Sequence, residues 1–87
     1  MTGIVKSMPA NKRYGYIRED YNGKEYFFHM QDFIGHWDDL VDDFESVQNH
    51  LMAPIKVDFT PISSPKGLRA SNVSRIGHPN QAVKEIE

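Results

Sequence analysis

No cysteine occurs in the 87 residues of this chain, which excludes a disulfide framework and any thiolate-held metal, and suits a reducing compartment. Long apolar runs are missing as well. Nothing approaches the about 18 residues that a membrane-crossing helix needs, and residues 1–13 lack the apolar stretch of a secretory signal. Nor is there a surplus of positive charge. Ten Lys and Arg stand against twelve Asp and Glu, for a net charge of −2, whereas a domain that grips nucleic acid over its whole surface is usually strongly basic. His29, His36, His50 and His78 show no paired ligand spacing, and the acidic stretch lacks the glycine and alternating acids of a calcium loop. Nucleophile elbow, phosphate loop and kinase signatures are absent too. The expectation is a soluble, cytoplasmic protein that is not an enzyme, engages no membrane, and needs no metal or cofactor.

What is present is an ordinary globular composition, 39% hydrophobic and 25% charged with six Gly and five Pro, enough for one domain. A chain this short buries only about 60–65% of the surface its unfolded form exposes, so its stability is expected to be modest. Residues 1–77 are expected to form that domain and residues 78–87, beginning near Pro79, a flexible tail. The charge is segregated along the chain. Lys6, Lys12, Arg13, Arg18 and Lys24 outnumber the acids of residues 1–30, and Lys56, Lys66, Arg69 and Arg75 outnumber Asp58 in residues 51–77. Between them, Asp32, Asp38, Asp39, Asp42, Asp43 and Glu45 meet no Lys or Arg over residues 31–50. Two mildly basic segments flank an acidic one.

Alternation and punctuation predict five strands. Residues 2–8 form the first, ended by Pro9. Residues 13–19 form the second, with Tyr14 and Tyr16 on one face and Gly15 and Ile17 on the other. Asn22-Gly23 is a hairpin signal because both residues tolerate positive φ, so residues 25–30 should return antiparallel as the third strand. Residues 55–60 make the fourth, stopped by Pro61 and the Ser63-Ser64-Pro65-Lys66-Gly67 loop, and residues 68–76 make the fifth. Five short strands suit a small antiparallel barrel or a sandwich. Between strands three and four, Trp37, Leu40, Val41, Phe44, Val47 and Leu51 fall at helical spacing with the acids on the remaining positions. This predicts a short amphipathic helix inside an insertion spanning about residues 35–52.

Tyr14, Tyr16, Phe27 and His29 share one face of the predicted hairpin. Such rings can serve the core, since Tyr and Phe favour strands. However, Val5, Ile17, Phe28, Val57, Phe59 and Val73 already supply a core. Aromatics left over on a sheet face, with lysines at its edge, form a platform for unstacked bases.

The segments Thr2-Gly3-Ile4-Val5-Lys6, Lys12-Arg13-Tyr14-Gly15-Tyr16-Ile17, Tyr26-Phe27-Phe28-His29, Lys56-Val57-Asp58-Phe59 and Pro65-Lys66-Gly67-Leu68-Arg69-Ala70-Ser71-Asn72-Val73 resemble, in order, those of a bacterial cold-shock domain, across nearly all of residues 2–76. The second and third segments are similar to that family's paired RNA-binding motifs, with Tyr for Phe twice. The resemblance implies an all-β fold: a five-stranded antiparallel Greek-key barrel of the oligonucleotide-binding type, with the helix inserted between strands three and four. It also implies sequence-tolerant binding of single-stranded RNA or DNA, in the manner of an RNA chaperone or cold-shock regulator. The chain departs from the pattern as a divergent member would. Ser7 and Met8 stand where the family has a Trp-Phe pair, Met30 where it commonly has Phe, and Arg13 where it has glycine. Each aromatic surface lost removes about 1–3 kcal/mol of stacking.

The expected stacking residues are therefore Tyr14, Tyr16, Phe27 and His29, with Met8 and Met30 in aromatic places. The expected phosphate contacts are Lys6, Lys12, Arg13, Lys24, Lys66 and Arg69. The alternative is a protein-interaction module in which the acidic helix docks a protein partner or a second copy of the chain through Trp37, Leu40 and Phe44, while nucleic-acid binding is weak or lost; against it stands the reading that these three side chains pack onto the barrel and close an open end.

Overall fold

The computed structural model describes residues 1–77; the tail expected over residues 78–87 lies outside them. Five strands, β1 (Thr2–Ser7), β2 (Tyr14–Glu19), β3 (Glu25–His29), β4 (Lys56–Ser64) and β5 (Gly67–Arg75), close into a barrel in the order β1-β2-β3-β5-β4. Inward positions fill the interior: Val5, Ile17, Phe28, Val57, Phe59 and Val73 are all buried, as the alternation predicts, and Tyr26, Phe33, Ile55 and Ala70 join them.

The strands are not all antiparallel. In a closed ring, each antiparallel step reverses strand direction, and five reversals cannot return to the starting direction, so at least one pair must run parallel. That pair is β3 and β5, in register at Phe27 and Arg69. It is extended by a parallel bridge from Phe33 to Val73 and by the Ile34 N–H donating to the Val73 carbonyl at 2.7 Å.

Pro61 does not stop β4, which continues to Ser64 with Pro61 opposite Ala70. The strand tolerates it because β1 reaches only Lys56 to Asp58, so the missing N–H faces no neighbour on that side. The register with β5 also shifts between Asp58 and Thr60, an irregularity of the kind where proline is accepted. At the β2–β3 turn only Gly23 takes positive φ, at 74°. Asn22 need not, because the carboxylate of Glu19 accepts the backbone N–H groups of Tyr21 at 3.0 Å and Asn22 at 3.2 Å and shapes a longer turn.

The predicted helix is α1 (Trp37–Gln48). Asp38 and Asp39 in its first turn complement the positive end of the helix dipole, in place of a side-chain cap. It ends at Asn49, where His50 adopts φ 62°, leaving Leu51 beyond the helix and exposed. Leu40 and Phe44 are buried in the barrel's own core, and Trp37 and Val47 pack against it. Trp37 lies edge-on to Phe28 and Phe33, with centroids at 5.7 and 6.2 Å, and Arg75 of β5 holds Asp43 at 2.6 Å. These contacts correct the docking expectation for Trp37, Leu40 and Phe44. Leu40 and Phe44 are core side chains of the barrel with Trp37 packed against them, and the surface that α1 leaves outward is mainly its acids.

Candidate nucleic-acid interface

Pairing of β2 with β3 sets Tyr14 opposite His29 and Tyr16 opposite Phe27. All four side chains are half-buried while Gly15, Ile17, Tyr26 and Phe28 between them are buried, so the four rings share the outer face. Tyr14 and Phe27 lie 5.4 Å apart and 34° from parallel, forming one slightly creased surface. Tyr16 stands across it, 6.1 Å from Tyr14 at 90° and 5.9 Å from Phe27 at 71°. The inner side of this platform is fixed by Gly15, where a Cβ would come within 2.8 Å of the Ser7 carbonyl oxygen and 3.1 Å of Met8 Cγ.

That contact also shows where Met8 points. It packs against the core, on the side of β2 opposite the tyrosines, and is not part of the platform. The cause is a register shift between Val5 and Ser7, which makes Lys6 an extra residue in β1. One extra residue flips the facing of those that follow. Met30 stays near the platform's edge, half-buried at the start of a single 3-10 turn (Met30–Asp32), with its N–H donating to the Arg13 carbonyl at 2.8 Å. His29 caps that turn. Its Nδ1 accepts from the Gln31 N–H at 3.1 Å, while Asp32 Oδ2 accepts from the His29 N–H at 2.9 Å, so the imidazole is oriented by the chain itself.

The cations divide into two groups. Lys12, Arg13, Lys24 and Lys66 are exposed and have no ion-pair partner among the described residues. Arg13 fits the place of a glycine because the positive φ of that turn falls on Asn11, at 62°. Lys6 and Arg69 are different. Lys6 is ion-paired with Glu25, and Arg69 Nη2 donates to Asp32 Oδ2 at 3.0 Å, so neither offers a free charge to a phosphate.

Arg18 was missed in the sequence. It is exposed, has no ion-pair partner among the described residues, and continues the outward row of Tyr14 and Tyr16. Extending that alternation by two residues would have found it. Beside the platform, a cleft of about 630 Å³ is lined by residues that include Phe27, His29, Ser64, Lys66, Leu68 and Arg69, with Glu25 its only carboxylate among the described residues.

Glu25 sits where an incoming phosphate chain would be repelled, and it also neutralises Lys6. Glu25→Gln should tighten oligonucleotide binding about two- to fivefold at low salt, the scale of a surface ion pair. Fluorescence anisotropy at two ionic strengths would show this, with the gain shrinking at the higher one. Equal or weaker binding by the variant would show that Lys6 and Glu25 stand outside the interface.

A closed five-stranded barrel with outward aromatics and cations about them has the architecture of the nucleic-acid-binding barrels. Residues 1–76 match the 'Cold-shock' DNA-binding domain, and the chain belongs to this family, which is one of nucleic-acid-binding domains rather than of enzymes. Comparison with curated proteins finds no match. Among the described residues, no helix is long and apolar enough to cross a membrane.

Proposed function

We propose that this chain is a divergent cold-shock protein, built on a Greek-key barrel of the oligonucleotide-binding type, that holds single-stranded RNA or DNA with little sequence choice and acts on RNA as a chaperone does. The observation that carries this reading is the mutual contact of Tyr14, Tyr16 and Phe27 on the outer sheet face. Every base has a π-face, so stacking there is sequence-tolerant. His29 flanks the triad, and Lys12, Arg13, Arg18, Lys24 and Lys66 are placed to neutralise phosphates. Ser7 and Met8 add no ring, so affinity is micromolar or weaker.

A salt titration of a labelled oligo-pyrimidine tests this. With two to five of these cations engaged, log K against log salt should fall with a slope of about −1.4 to −3.5, at about 0.7 per phosphate on a single strand. Absence of binding at low salt would refute the proposal.

A further inference from the structure

Arg69 is tied to a carboxylate, yet it sits beside the platform. Its guanidinium carbon lies over the Phe27 ring, 5.7 Å from the centroid, within reach of a cation–π contact but beyond the about 3.5–4 Å between atoms of directly stacked layers. The side chain is 43% exposed and opens on the cleft, while that of its partner Asp32 is only 15% exposed. Asp32 is itself fixed, since the same Oδ2 takes the His29 N–H at 2.9 Å. A guanidinium carries five N–H donors. One bond, from Nη2, goes to Asp32, and the remaining N–H groups have no acceptor among the described residues.

The chemistry of such an arginine differs from that of the free lysines. Its charge is compensated at 3.0 Å, so a phosphate placed on it would meet the Asp32 carboxylate as well, and few counterions would be released. The bond from Nη2 to Asp32 holds the guanidinium in orientation and leaves its other donors open. A fixed, charge-compensated donor fork suits a neutral partner with two adjacent acceptors, and a base stacked on Phe27 presents its edge there. Guanine offers O6 and N7 side by side, the pair that arginine bonds in bidentate fashion.

Resting on the stacking reading above, we propose that Arg69, oriented by Asp32, reads the edge of the base stacked on Phe27 and gives this otherwise tolerant surface a preference for guanine at one position.

Anisotropy with three hexanucleotides tests it: all-thymidine, the same strand with one central guanosine, and that strand with 7-deazaguanosine, which lacks the N7 acceptor. The guanosine strand should bind at least fivefold tighter than all-thymidine, within the about five- to 150-fold range that a bidentate contact supplies. The deaza strand should fall back towards the thymidine value. Arg69→Gln should abolish the preference while leaving the salt slope unchanged. Arg69→Lys, a point charge without the fork, should not restore the preference. Asp32→Asn should weaken it and steepen the slope by about 0.7, because an unmasked arginine becomes a phosphate binder. Binding of all three strands without discrimination overturns this inference and leaves stacking intact, as does a slope that falls by about 0.7 in Arg69→Gln. Failure of all three strands to bind removes both.

Discussion

The Tyr16→Ala, Phe27→Ala double variant should lose at least tenfold, and up to several thousandfold, of its affinity for a single-stranded oligonucleotide while keeping its fold. Each stacked base is worth about 1–3 kcal/mol by alanine substitution, and about 1.4 kcal/mol is a factor of ten. The two rings touch, at 5.9 Å, so their losses will not simply add. Both side chains are half-buried on the outer face, and the core beneath them is closed by Gly15, Ile17, Tyr26 and Phe28. Thermal melting should therefore show a stable domain. Anisotropy beside circular dichroism checks both halves, and undiminished binding by a folded double variant would eliminate stacking as the mechanism.

Leu40→Ala should be among the most destabilising single changes in the molecule, although it lies in a segment that looks like an appendage. Leu40 is fully buried within the core cluster, and removing such a leucine typically costs about 2–5 kcal/mol. In a domain of this size that corresponds to a drop in melting temperature of about 10 °C or more. Phe44→Ala should behave alike. If instead α1 were a docking element held loosely on the barrel, these variants would melt with the parent. A change of under about 2 °C would show that the helix is not part of the core.

The strands and the aromatic face were legible because both are local. Period-two alternation in Tyr14–Glu19 and Glu25–His29 places the rings on one side whatever the rest of the chain does, and the hairpin pairs them across a short turn. The helix was legible for the same reason, through its spacing of Trp37, Leu40 and Phe44, but the choice between closing the barrel and docking a partner was not. Which surface an amphipathic face buries against depends on the other strands. Met8 escaped because a single extra residue at Lys6 reverses the facing that alternation would assign, and nothing in Lys6-Ser7-Met8 announces it. The neutralisation of Lys6 and Arg69 escaped because Glu25 and Asp32 lie 19 and 37 positions away along the chain, and counting charges by segment treats every lysine as available. The parallel pair could have been deduced once a closed five-stranded ring was assumed, since parity alone demands it.

That odd strand count leaves the barrel with one weak stave joint. β3 and β5 meet in register at a single residue pair, and the Asp32–Arg69 ion pair spans the same gap. A nucleic acid lying over Phe27 and Arg69 would grip the wall on both sides of the joint at once. Occupancy would then act as a rivet, and the domain would be most cohesive when loaded.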